Sequence, residues 1–250
     1  VIRKFINFIF YLAVAAGLSG NALADDKVDF FRAVGVDNAA GVQRLIDRGF
    51  DPNQRDEHGQ TGLILALREG SAKVTDLLIA SPKVNVETRN RSDESPLMMA
   101  ALKGRKDAVA KLIARDADIN KTGWAPLHYA ATGGQVEVMK VLLEKSAFID
   151  AESPNGTTPL MMAAMYGTPE AVKLLIDEGA DLAMKNQQGM TALDFASKGN
   201  RPDAVALLTA AKAPAGSGGP PATTPARPGN APAAPKAAPA PAARPADGKW

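Results

Sequence analysis

The chain has 250 residues, 46% of them hydrophobic and 22% charged, with a formal net charge of +2. This is ordinary globular composition with room for one or two domains. It holds no cysteine, which excludes disulfides, thiolate metal sites and a cysteine nucleophile, so packing must supply the stability.

The first segment reads VIRKFINFIFYLAVAAGLSGNALADD. Arg3 and Lys4 make a positive start, Phe5 to Leu18 is a mostly apolar run of roughly 14 residues, and Ala22-Leu23-Ala24 puts small residues where a signal peptidase reads. Residues 1–24 therefore read as a secretory signal cleaved after Ala24, with the mature protein periplasmic or secreted. A membrane anchor is the competing reading, but a span needs about 20 apolar residues and Asn7 interrupts this one. No Cys follows the run, which argues against a lipoprotein anchor. The initial Val reads as a non-standard bacterial start codon, which favours export to the periplasm.

The middle of the chain repeats itself. TGLILALREG from Thr61, SPLMMAALKG from Ser95, APLHYAATGG from Ala125, TPLMMAAMYG from Thr158 and TALDFASKGN from Thr191 align, with starts 34, 30, 33 and 33 residues apart. The first four are each followed by a second stretch with apolar residues at helical spacing: AKVTDLLI, KDAVAKLI, VEVMKVLL and PEAVKLLI. Most of these run on into a turn such as DRGFDPN, ARDADIN, KSAFIDA or DEGADLA. An upstream copy from Val28, VDFFRAVGVDNAAGVQRLIDRGFDPN, keeps the same phase. Thr or Ser caps a helix start and Pro suits the first turn, where its missing N–H costs nothing; Ser95-Pro96 and Thr158-Pro159 carry both. Small Ala100, Ala130 and Ala163 let paired helices approach, while Leu112-Ile113, Leu142-Leu143 and Leu174-Leu175 fill between units. One unit cannot bury its apolar face alone, but a stack can.

The last segment, residues 213–250, holds ten of the 18 prolines and almost no large apolar residue. It cannot bury enough surface to offset its ordering entropy, so a disordered Pro/Ala-rich tail with polyproline II character is expected. Fully extended at about 3.1 Å per residue it would reach on the order of 100 Å. Arg227, Lys236, Arg244 and Lys249 against Asp247 make it basic. Setting aside both ends leaves 23 basic and 26 acidic residues, a mildly acidic body that argues against a nucleic-acid partner.

The TPLHxA-like opening, the VxxLL helix and the GAD turn before a DxxG hairpin resemble ankyrin repeats; TTPLMMAAMYGTPEAVKLLIDEGADLAMKNQQG is similar to the family pattern over its full length. The resemblance covers residue 28 to about 212. It implies an all-α ankyrin-repeat solenoid of about six helix-turn-helix units with hairpin-like loops, occupying 25–212 (units near 28–60, 61–94, 95–124, 125–157, 158–190 and 191–212), followed by the tail at 213–250. The outer units depart from the pattern as caps should. The loop through DINKTGWA is about three residues short, and unit 2 carries Pro82 where a Gly is usual. Irregularity is expected around residues 80–125, with a stubby finger before Trp124.

No GxSxG, HExxH or Walker-type loop is present, and the chain has two histidines, so the sequence reads as noncatalytic. No cofactor or metal is expected. His128 stands at the family's TPLH position, which implies a structural hydrogen bond to the neighbouring hairpin backbone. The pairs Met98-Met99 and Met161-Met162 invite a soft-metal reading. Successive helices pack roughly 8 to 10 Å apart, too far for shared ligands, so core filling by flexible thioethers is the better account.

The resemblance places partner binding on the fingertips and the concave helix face. The fingertip candidates are Glu57, His58 and Gln60; Arg91, Ser92 and Glu94; Trp124; Pro154, Asn155 and Thr157; and Gln187, Gln188 and Met190. The helix candidates are Arg68, Glu69, Leu102, Lys103, Thr132, Met165, Tyr166 and Lys198. Trp124 is the leading hot-spot candidate, with packing over the shortened finger as the alternative. The expected role is a periplasmic protein-binding module that scaffolds or modulates an envelope enzyme. One alternative is an inhibitor or immunity-type protein that blocks a secreted toxic enzyme. The other is an envelope protein tethered to the cell wall through its basic tail. No nucleic-acid partner and no stable membrane insertion after signal cleavage are expected.

Overall fold

The computed structural model describes residues 25–212. The signal and tail expectations, 1–24 and 213–250, lie outside the described residues. Among the described residues the regular structure is helical, with an isolated antiparallel bridge between Arg55 and Thr61. The chain divides after Pro96 into two compact units.

The first unit holds α1 (25–35), α2 (Ala39–Asp47), α3 (Gly62–Glu69) and α4 (Ala72–Ala80). In α2, Val42, Leu45 and Ile46 recur at helical spacing and are buried, and Asn38 caps the start by accepting from the Gly41 N–H at 3.0 Å. Phe30 of α1 is fully buried, with its ring 4.6 Å from that of Phe50. A Cβ on Gly62 would lie 2.5 Å from the Phe30 ring, so α3 needs glycine at its first position. The α3 face Leu63, Ile64 and Leu67 is buried, as are Val74, Leu78 and Ile79 of α4. Thr61, at the start of α3, makes no side-chain cap; its hydroxyl pairs instead with that of Thr88 at 3.2 Å.

The second unit holds α5 (Pro96–Leu102) from its second residue, then α6 (Lys106–Ile113), α7 (Pro126–Thr132), α8 (Val136–Glu144), α9 (Pro159–Tyr166), α10 (Pro169–Asp177), α11 (Ala192–Lys198) and α12 (Pro202–Lys212). Inner helices stack as α7 on α9 on α11, and outer helices as α6 on α8 on α10 on α12. Ala100, Ala130 and Ala163 are buried where the helices approach, and Leu112, Leu142 and Leu175 are fully buried. Their neighbours Ile113, Leu143 and Leu174 are half-buried. Thr158 and Thr191 cap α9 and α11, accepting from the backbone N–H of Met161 and Asp194 at 3.3 and 3.4 Å.

Two backbone devices set the repeat spacing. A Cβ on Gly133 would meet the Leu102 carbonyl oxygen at 2.5 Å, and one on Gly167 would meet that of Ala131 at 2.5 Å. Each helix end thus rests on the backbone of the preceding repeat. On the opposite turns, Asn120 donates to the Ser146 carbonyl (2.9 Å) and accepts from the Phe148 N–H (2.8 Å), and Asp150 accepts from the Asp181 N–H (3.0 Å). Asn53 does the same in the first unit toward Lys83 and Asn85, both at 2.8 Å.

Candidate functional site

The fingertips are built by one local rule: a short polar side chain at the base folds back onto the amides of its own turn, two of them in three of the four tips. Asp56 accepts from the His58 and Gln60 N–H at 2.9 and 2.7 Å, and Asn90 from Ser92 and Glu94 at 2.9 and 3.0 Å. Asn186 accepts from Gln188 and Met190, both at 3.0 Å, and the Ser153 hydroxyl accepts from Thr157 at 2.9 Å. Gly59, Gly156 and Gly189 take positive φ of 78, 76 and 74° in these turns, and Asp93 does so at 61°. The tips are held by hydrogen bonds before any partner arrives.

Glu57, His58, Arg91, Ser92, Pro154, Asn155, Gln187 and Gln188 stand exposed on these tips, with Glu94 and Met190 half-buried. Gln60 and Thr157 are 6% and 2% exposed. Their amides close the turn next to a helix start, which turns the side chains inward and away from any partner. Arg91 is also tied back, donating to the Glu57 carbonyl at 2.9 Å, and Gln187 donates to that of Pro154 at 2.9 Å. Arg68 is half-buried and Glu69 exposed at the end of α3, with 3.2 Å between their charged groups.

In the second unit, residues 121–125 form bends without a hairpin tip, so the short finger is present as expected from its length. Trp124 there is half-buried, its ring edge-on to that of His128 with centroids 5.3 Å apart. His128 is fully buried. Its Nδ1 accepts from the Ala125 N–H at 3.2 Å, which leaves the hydrogen on Nε2 to donate to the Thr157 carbonyl at 2.9 Å. Burial pushes its pKa down to about 4, against the opposing pull of the Thr157 bond. A neutral imidazole tied at both nitrogens is a structural strut between repeats, as the TPLH position implies. Met161 occupies the equivalent place one repeat on, and its sulfur accepts from the Thr158 N–H at 3.4 Å.

Met98, Met99 and Met161 are core residues at 0, 5 and 1% exposure. Met162 departs from the core reading: it is half-buried and shares a helix stripe with half-buried Met165 and exposed Tyr166. Positions i, i+3 and i+4 lie on one helix face, and α7 and α9 carry no charged side chain. Leu102, Lys103 and Thr132 are half-buried and Lys198 exposed at the ends of the other inner helices. The Thr132 hydroxyl donates back to the His128 carbonyl at 2.7 Å. Among the described residues no three His, Asp or Glu side chains gather to hold a metal, and no helix is long and apolar enough to cross a membrane.

The family model described as ankyrin repeats (3 copies) matches residues 30–122, 84–153 and 147–215. The chain therefore belongs to the ankyrin-repeat family, whose repeats mediate protein–protein interaction and form a typically noncatalytic module. It is similar to human neurogenic locus notch homolog protein 2, 32% identical over 117 residues, covering 46% of this chain and 5% of that protein. Mouse B-cell lymphoma 3 protein homolog is 31% identical over 123 residues, covering 46% and 28%. The chain thus matches a small part of those relatives' length. Among solved structures, one chain of the complex between the predatory endopeptidase Bd0816 from Bdellovibrio bacteriovorus and immunity protein Bd3460 superposes with a TM-score of 0.62 at 29% identity, covering 73% of this chain and 97% of that one. The human ASB11 ankyrin repeat domain gives 0.62 and 29%, covering 77% and 84%.

Proposed function

We propose that the protein is a noncatalytic module of the bacterial periplasm that holds a protein partner on its fingertips and inner helix surface, as a scaffold or modulator of an envelope enzyme. The observation that carries this reading is the hydrogen-bonded fingertip. Pre-ordered tips lose little conformational entropy on docking, which is where binding free energy is otherwise lost. Half-exposed Trp124 and exposed Tyr166 are the aromatic types that serve as interface anchors. The N-terminal 24 residues supply the export reading.

A second reading, an inhibitor or immunity-type protein, draws support from the likeness to a chain of the endopeptidase–immunity protein complex. One experiment separates the two. The full protein is used to capture its partner from the native envelope, and the partner's activity is then assayed with one equivalent of the protein added. A scaffold leaves that activity standing or raises it, and an inhibitor abolishes it. Recovery of the same partner by a Trp124→Ala/Tyr166→Ala/Gln187→Ala variant would refute the proposed surface.

A further inference from the structure

We propose that the turns after α6, α8 and α10 form a second docking edge, centred on Phe148, which takes a basic segment of a protein partner by seating an arginine or lysine side chain on the Phe148 ring. The edge uses none of the fingertip or inner-helix candidates, so it stands whether or not those bind.

Among the described residues, five turns follow the second helix of a repeat and lead on to the next repeat. Four of them close in the same way. Asp51, Asn85, Asp118 and Asp181 each accept from the backbone N–H two residues on, at 3.0, 2.8, 2.9 and 2.8 Å, which is the bond a short Asx side chain offers a turn. The fifth turn, after α8, has Phe148 at that place, 58% exposed. A phenyl ring has no oxygen to accept the bond, and here it also leaves apolar surface in water. A lone exposed apolar side chain is ordinary on a protein surface. Phe148 differs because it stands where the other four copies hold a turn-closing acceptor, so the chain forgoes a local bond in order to present a ring.

The neighbouring turns set that ring among carboxylates. The Phe148 N–H donates to Asn120 Oδ1 at 2.8 Å, and the Asp181 N–H donates to Asp150 Oδ1 at 3.0 Å. These bonds hold Phe148 in register between exposed Asp118 and exposed Asp181, one repeat of roughly 10 Å to either side. Segments 114–120, 144–152 and 177–185 together carry eight Asp or Glu against three Lys or Arg, so the edge repels an acidic occupant and attracts a basic one. A cation over the face of an exposed aromatic ring adds a contact that charge alone does not supply.

Fluorescence anisotropy of a fluorescein-labelled hexa-arginine peptide, titrated with the full chain at low salt, reads the contact. Phe148→Asp is the deciding variant: it adds a carboxylate and restores the turn bond of the other four copies, so it should unfold at an equal or higher urea concentration than the wild type. Attraction by charge alone would make it bind the peptide more tightly; the ring contact predicts binding weaker by about two- to fivefold. Phe148→Leu, apolar but without the ring, should weaken binding by a similar factor, and Phe148→Trp should bind at least as tightly as the wild type. Asp118→Asn/Asp181→Asn keeps both turn acceptors, removes two charges and should weaken binding by about twofold or more. No binding of hexa-arginine by the wild type, binding by Phe148→Asp as tight as the wild type's or tighter, or binding unchanged by Phe148→Leu or by the paired Asn substitutions would each overturn the proposal.

Discussion

His128 makes acid stability a test of the repeat's internal wiring. Its ring is fully buried, with its pKa lowered to about 4 from the ordinary 6.5. As pH falls below 6.5 the unfolded chain takes up a proton that the folded chain refuses. Stability is therefore intact above about pH 6.5, declines as pH falls toward 4, and levels off below. A separation of about 2.5 units at about 1.4 kcal/mol per unit makes the total loss about 3 kcal/mol. The neighbouring repeat supplies the control. Met161 at the equivalent place accepts the same kind of N–H bond and does not titrate, so His128→Met should keep the fold and abolish this component. At neutral pH the variant loses the bond to the Thr157 carbonyl and should be less stable by about 1 to 3 kcal/mol. Urea unfolding at half-unit pH steps measures both proteins, and the carboxylates common to them cancel in the difference. From pH 6.5 to 4 the difference between the two curves should shift by about 3 kcal/mol in favour of the variant. Parallel curves over that window would refute a buried neutral imidazole.

Other substitutions test the spacing and turn devices. Gly167→Ala drives a Cβ to 2.5 Å from the Ala131 carbonyl oxygen and 2.9 Å from Ala163 backbone, and should cost about 1–3 kcal/mol in urea unfolding. Gly35→Ala, with nothing within 4 Å of its Cβ, should be neutral or gain about 0.5 kcal/mol. Ser146 holds φ 64° at the helix end where Gly49 and Gly179 hold 96° and 88°; Ser146→Gly should raise stability by about 0.5–1 kcal/mol, and a loss would contradict the left-handed strain argument. Asn186→Ala removes the acceptor for the Gln188 and Met190 amides, so their hydrogen exchange should speed up on the order of tenfold while the Gly156 amide is unchanged.

Much of this fold is legible because its signals are local. The A-P-L, T-P-L and T-A-L openings mark helix starts at Ala125, Thr158 and Thr191, and the second helices begin at Ala72, Lys106, Val136 and Pro169, where the apolar spacing starts. The role of His128 follows from its motif position. What escapes the sequence is partnership across one repeat. The Asn120 and Asp150 turn contacts join residues 26 to 31 apart, and Gly133 and Gly167 matter for a carbonyl in the repeat before. A recurrent D-x-N is visible, but not which backbone it reaches. The inward turn of Gln60 and Thr157 escapes for a related reason: fingertip membership gives position along the loop, whereas burial depends on which amides the side chain at the base, Asp56 or Ser153, holds. Met162 differs from Met161 by one residue, about 100° around the helix, and that rotation alone separates core from surface.

We propose that a protein partner docks on the exposed tips and on the inner helices, α7 and α9 of which carry no charged side chain. The most direct test is the affinity of the captured partner for wild type and for the Trp124→Ala/Tyr166→Ala double variant, each first shown to unfold at the same urea midpoint as its parent. Two anchors at about 1–2 kcal/mol each predict a Kd weakened at least about thirtyfold. An unchanged Kd in a folded double variant would contradict the account.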